Sequence, residues 1–219
     1  MGEPKTRVVL VRHGQSACQA SGVIGGHVGC TGLSELGRAQ ADTLRKRLSA
    51  TGELSDVGSM ATSVLPRAIE TAERIGPEVG GGLVATEQDC EWCELHPGEG
   101  DGLHWEEFAR RYGTSSIDAD PHRSLAPGGE SWAEMVERVR ARLGKLVADR
   151  RGERTVVVCH GGVIIASMVS LLGLALNDQW RGLEPTNTSL TEWEHRAGRW
   201  RLVRYNDHAH LGGWSAAGG

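Results

Sequence analysis

The sequence predicts an α/β fold, a three-layer α/β/α sandwich on a mainly parallel sheet, and three observations predict it. Residues 7–12 (RVVLVR) and 155–159 (TVVVC) are continuous apolar runs without polar alternation, as suits parallel strands buried on both faces. Each run is followed at once by a His-Gly turn. The segments between strand candidates carry helical periodicity, and strands alternating with helices pack as an open sheet covered on both sides. The 219 residues suit a single domain over 1–219. Residues from about 90 to 129 break the rhythm, being rich in Gly, Glu, His and Trp, and read as an insertion over the crevice of the sheet.

Each element has its own signal. After the strand at 7–12, Leu33-Ser34 opens a helix to about Ser49, with Leu36, Leu44 and Leu48 assigned to its inner face. Residues 57–62 and 83–86 are weaker strand candidates. Pro66 fits the first turn of a helix to about Ile75, where its missing N–H costs nothing. A short helical piece near 105–112 is the only regular element expected in the insertion. Ser131 and Glu134 have capping-box spacing at the head of a helix to about Arg150. Its Trp132, Val136, Val139, Leu143 and Leu146 recur at three- and four-residue steps, a buried stripe. Another helix starts after His160 and ends near Gly173, and residues 189–194 and 200–205 form a hairpin around Ala197-Gly198.

Composition narrows the function classes. Net charge is −4 and no Lys/Arg block runs through the chain, so a nucleic-acid footprint is not expected. Lys5 and Arg7 precede only four apolar residues, which is not a signal peptide. The longest apolar stretch, 163–176, is broken by Ser167, Ser170 and Gly173 and falls short of the roughly 20 residues that span a bilayer. Five cysteines without regular spacing argue against a disulfide framework, and the chain reads as cytoplasmic with no membrane partner.

The chemistry gathers at the strand ends. Arg12-His13-Gly14 follows the first strand and His160-Gly161-Gly162 follows the other strong one, where ligands of open α/β sheets bind. Glycine there lets backbone N–H groups approach an anion. Arg67, in the first turn of the helix after Pro66, adds a second guanidinium able to fork two phosphoryl oxygens. A neutral imidazole can attack phosphorus at pH 7. On spacing alone, hydrogen-bonded structural histidines and a phosphate site are both open readings.

The segment VVLVRHGQS resembles the N-terminal signature of the histidine phosphatase (phosphoglycerate mutase-like) superfamily. GLSELGRAQA, ATSVLPRAIETA, CELHPGEGDGL, PGGES and VVVCHGGVI resemble later segments of that family, in order. The resemblance implies that His13 is the phosphorylated nucleophile and that Arg12, Arg67 and His160, with Gly161, bind the phosphoryl group. It implies that Glu94 is the general acid, with Glu91, Glu99 and Asp101 as alternatives. Where the family often has Asn six residues after the nucleophile, this chain has Gln19, whose longer amide could still donate to phosphate. Cys93 replaces an arginine common before the acid, and Gly29 an aspartate common before the first helix. The implied activity is hydrolysis of a small phosphorylated metabolite, a sugar phosphate or phosphorylated acid, with no metal or organic cofactor. A mutase or a non-catalytic phosphate binder are the alternatives, and a homodimer is compatible with the sequence although no patch establishes one.

Other features have plainer readings. Cys90-x-x-Cys93 with His96 nearby suggests zinc, but structural zinc takes four ligands and no second CxxC exists, so two unpaired thiols on a loop are expected. A redox pair would open a helix after a strand, and here Gly/Pro-rich sequence follows. Trp92 and Trp105 are candidates to line the substrate's way in, Trp193 and Trp200 fit the terminal hairpin, and His208 and His210 read as a solvated turn.

Overall fold

The computed structural model describes residues 3–113, 120–176 and 182–212. Strand β1 (Thr6–Arg12) leads through a single turn, α1 (Ala17–Ala20), to helix α2 (Glu35–Thr51), whose N-cap Ser34 accepts from the Gly37 N–H. Strand β2 (Ser59–Thr62), helix α3 (Pro66–Ile75) and strand β3 (Thr86–Gln88) follow. Helix α4 (Trp105–Tyr112) is the one α-helix described between β3 and α5 (Trp132–Asp149). Strand β4 (Arg154–Cys159), helix α6 (Gly161–Leu172) and the hairpin β5 (Leu190–Arg196) and β6 (Arg199–Asp207) complete the chain.

The strands form one sheet in the order β3-β2-β4-β1-β5-β6. The four from β3 to β1 are parallel, and the terminal hairpin adds antiparallel at the β1 edge. Alternate residues of β1 and β4 point to opposite faces. Val8, Leu10, Val157 and Cys159 meet α5 and α6 together with Trp92 and Trp193. Val9, Val11, Val156 and Val158 meet Leu44 and Leu48 of α2 and Ala68, Ala72 and Ile75 of α3. Two cores on either side of one sheet are the three layers that the unalternated apolar runs predict.

Capping explains several boundaries. Ser131 and Glu134 form the full capping box at the head of α5. Pro66 stands at the start of α3. Ala197 and Gly198 both take positive φ, 52° and 72°, the conformation that a tight right-twisting hairpin requires. Among the described residues no helix is long and apolar enough to cross a membrane.

Four details differ from the sequence reading. Strand β3 begins at Thr86 rather than Leu83, which is 91% exposed after a triple-glycine turn. Leu36 is exposed in the first turn of α2, because Gly37 takes the inward position against the backbone of Gln15. Trp92 is wholly buried under α5, with Arg142 stacked 5.0 Å from its ring, so it packs the core instead of lining an approach. His210 is not solvated: its Nε2 shares a 2.9 Å hydrogen bond with the Thr188 hydroxyl, and burial pushes its pKa down to about 4.

Candidate active site

Because β1 and β4 are parallel neighbours with Arg12 paired to Cys159, the residues that follow them emerge side by side. The rings of His13 and His160 lie with centroids 5.0 Å apart. The His13 N–H donates to the Cys159 carbonyl (2.9 Å), and the Asn187 amide donates to the His13 carbonyl (2.9 Å). Arg67 arrives from the first turn of α3, and its Nε lies 3.1 Å from His13 Nε2 and 3.2 Å from His160 Nδ1. The Arg67 fork also donates to the Gly25 carbonyl at 2.6 Å. Arg12 lies against Gly161 at the head of α6 and donates to the Pro185 carbonyl.

The hydrogen bonds assign the tautomers. His13 Nδ1 is 2.6 Å from the Gly14 carbonyl, which can only accept, so the ring hydrogen sits on Nδ1. The Nε2 lone pair is then free to accept from Arg67 and to act as nucleophile. His160 accepts at Nδ1, so its hydrogen is on Nε2. That Nε2 and Arg12 Nε are both buried with no partner among the described residues. Unpaired buried donors carry a full desolvation cost, which an oxyanion would relieve. Burial first, then Arg67 and Arg12, holds the His13 pKa well below the ordinary histidine value. His160 is lowered well below it too, by burial, then Arg67, His13 and Arg12. Both rings are therefore neutral at pH 7.

Glu94 completes the group from the segment that follows β3. Its carboxylate accepts from the Gly162 N–H (3.1 Å) and the Leu95 N–H (3.1 Å), at the positive end of α6. Among the four acids the sequence offers, it alone lines the cavity. The Asp101 carboxylate instead accepts from the N–H groups of Gly26, Val28 and Gly29, holding that loop where the chain has Gly29. Glu99 accepts from the Tyr112 hydroxyl, and Glu91 is exposed.

These groups open on a cavity of about 380 Å³. Arg12, His13, Arg67 and Glu94 form its polar floor, and Ile24, Leu95, Trp105, Phe108 and Leu125 line its apolar sides. Gln19 lines it from an exposed position, and Trp105 also lines it. His160 sits behind His13 and Arg67, fully buried, and Gly161 backs Arg12; neither is part of the lining. Sequence reasoning missed Gly25 and Asn187, and it kept the Gly162 N–H for a bound anion where the fold gives it to Glu94. The Gly25 carbonyl and the Asn187 amide, which reaches His13 from 174 positions away, carry no local signal.

Among the described residues one cluster has metal-ligating side chains: His27, Cys90, Cys93 and His96. The ground for setting zinc aside, the want of a fourth ligand, is removed by His27, which the fold brings in from a distant loop. None of the four lines the cavity.

Fold and site together define an α/β protein with a histidine–arginine anion pocket at the carboxyl ends of its central parallel strands. A family model described as the histidine phosphatase superfamily (branch 1) matches residues 8–208, and the chain belongs to that superfamily. It is 32% identical to phosphoglycerate mutase-like protein 4 of Arabidopsis thaliana, over 93% of this chain and 86% of that one. It is 31% identical to the glucosyl-3-phosphoglycerate phosphatase of Mycolicibacterium vanbaalenii, over 94% and 96%. Among solved structures, Bacillus stearothermophilus YhfR superposes with a TM-score of 0.82 at 27% identity, over 94% of this chain and 99% of that one. A mycobacterial glucosyl-3-phosphoglycerate phosphatase in complex with VO3 superposes with a TM-score of 0.75 at 29% identity, over 91% and 98%.

Proposed function

We propose that the protein hydrolyses small phosphomonoesters through a phosphohistidine at His13. The observation that carries this reading is the neutral His13 with its Nε2 lone pair directed at Arg67, beside the buried and unpaired donors Arg12 Nε and His160 Nε2. As substrate enters, Arg67 Nε shifts its hydrogen bond from His13 Nε2 to a phosphoryl oxygen. Arg12 by its charge and His160 by its Nε2–H stabilise the charge that spreads over the other oxygens. The Nε2–P bond forms as the bond from phosphorus to the ester oxygen breaks, and Glu94, acting as general acid, delivers a proton to the departing alkoxide. Water then attacks phosphorus, giving a proton to Glu94, and the P–N bond breaks to release phosphate and neutral His13. No step is routed through a metal ion.

The cavity narrows the substrate class. Among its described lining residues the only permanently charged cations are Arg12 and Arg67, and both stand at the phosphoryl end. A phosphorylated acid would leave its carboxylate against Leu95, Trp105 and Phe108 without a counter-charge. An uncharged leaving group with an apolar or sugar-like face fits these walls better, which also weighs against a phosphoglycerate mutase. Five unpaired cysteines accord with the reducing conditions of the cytoplasm.

Phosphate release from a panel of phosphorylated metabolites, including 3-phosphoglycerate, tests this with wild-type and His13→Ala protein. Release that vanishes in His13→Ala, strongest for neutral leaving groups, is expected. Isomerisation without release would make the protein a mutase, and silence across the panel with no labelling of His13 would make it a binder.

A further inference from the structure

We infer that His27, Cys90, Cys93 and His96 bind a structural Zn²⁺ ion that clips the loop under Arg67 to the segment carrying Glu94. The ligand atoms of all four side chains lie within 4.8 Å of one another. Cys90 Sγ is 3.0 Å from Cys93 Sγ, 3.7 Å from His27 Nε2 and 3.7 Å from His96 Nε2. A tetrahedral zinc with two sulfur and two nitrogen ligands has S···N edges of about 3.6 Å and an S···S edge of about 3.8 Å. The two S···N spacings from Cys90 already fit, and the two sulfurs must part by about 1 Å or somewhat less. Two thiolates with two imidazoles select zinc among common divalent ions, and four protein ligands close the shell, so the ion is structural and not a Lewis acid for the reaction.

The surroundings support the assignment independently of the ligands. The Ser63 hydroxyl donates to Cys93 Sγ at 3.3 Å. Arg138 donates to the carbonyls of Glu91 (2.8 Å) and Cys93 (3.1 Å), bringing positive charge to the two sulfurs. His96 presents Nε2 to the cluster while its Nδ1 faces the Glu130 carboxylate at 3.9 Å, and Arg138 holds that carboxylate by two bonds of 2.7 and 2.8 Å. A carboxylate behind the far nitrogen of a ligating histidine is the usual outer shell of zinc. His27 is exposed, which leaves the ion a way in.

The position gives the clip a consequence. His27 lies two residues after Gly25, whose carbonyl takes the Arg67 hydrogen bond, and Cys93 and His96 flank Glu94. One ion would thus hold together the two loops that set the phosphate-binding arginine and the proton donor. This inference does not depend on the phosphatase reading, since the metal assay below reads no turnover.

The test is metal analysis of purified protein, followed by Co²⁺ titration of the reduced, zinc-stripped chain. About one zinc per chain is expected, and cobalt should give a thiolate charge-transfer band with the intense visible bands of tetrahedral coordination. His27→Ala should weaken cobalt affinity at least about tenfold and lower the visible intensity. The Cys90→Ser, Cys93→Ser double variant should lose the charge-transfer band, while His13→Ala should bind as wild type does. A reduced wild-type chain that gives no charge-transfer band would overturn the site, and it involves no variant that could fail to fold. Bands unchanged in His27→Ala would overturn the four-ligand assignment. A Cys90–Cys93 disulfide in place of zinc, with no cobalt binding after reduction, would overturn it as well.

Discussion

His13 is kept uncharged by its setting, and the same burial and guanidinium neighbours couple the fold's stability to pH. The folded pKa values of His13 and His160 lie well below the unfolded value of 6.5, so the unfolded chain takes up protons that the folded chain refuses. Their contribution to stability is complete above about pH 6.5 and is lost as pH falls toward the folded values. Denaturant midpoints should therefore drop below that pH, with a shallower drop in His13→Ala; parallel curves would contradict the assignment. Glu94→Gln should slow alkyl phosphates far more than p-nitrophenyl phosphate, whose leaving group barely needs a proton. Equal losses would point to another acid. Gly162→Ala tests the anchoring of that acid, because an added Cβ would lie 2.1 Å from Glu94 Oε1. Alanine suits a helix better than glycine, so this variant should keep its thermal stability and still show the Glu94→Gln pattern. The site was partly legible here: His13, Arg12, Arg67 and Glu94 stood in recognisable segments, whereas Gly162 shows its purpose only once Glu94, 68 positions earlier, is placed against it.

At the scale of elements, β1 and β4 were legible because burial on both faces leaves an unbroken apolar run, and the α5 stripe because one face is buried. Strand β3 was not, since Thr86, Glu87 and Gln88 are all exposed at the sheet edge and carry no apolar signal. The inward face of α2 was misjudged at Leu36 because helical periodicity does not see where another backbone crosses. There Gly14 and Gly37 let the His13 turn and the head of α2 touch, and a Cβ on Gly37 would meet the Gln15 carbonyl at 2.0 Å. Gly37→Ala should cost about 1–3 kcal/mol by forcing backbone apart, read as a lower denaturant midpoint, and should depress turnover by moving the His13 loop. An unchanged midpoint would mean that the contact yields freely.

Across the whole molecule, placing β4 between β2 and β1 sets both strand-end histidines in one crevice and leaves α3 to deliver Arg67 between them. The segment after β3 then crosses that crevice, contributing Glu94 to the floor and Leu95, Trp105, Phe108 and Leu125 to the walls. The broken rhythm of that stretch is visible in the sequence, but its partners, the Asp101 contacts to the loop at 26–29 and the meeting of His27 with the CxxC turn, are long-range and have no local period. All of this geometry converges on one atom, His13 Nε2. The most direct test is rapid acid-free quenching of a single turnover, with peptide mapping of the phosphoryl group. Label on the His13 peptide, formed and lost at rates competent for turnover and absent from His13→Ala, is the result predicted. Turnover of a phosphomonoester with no phosphohistidine at His13, or undiminished in His13→Ala, would contradict it.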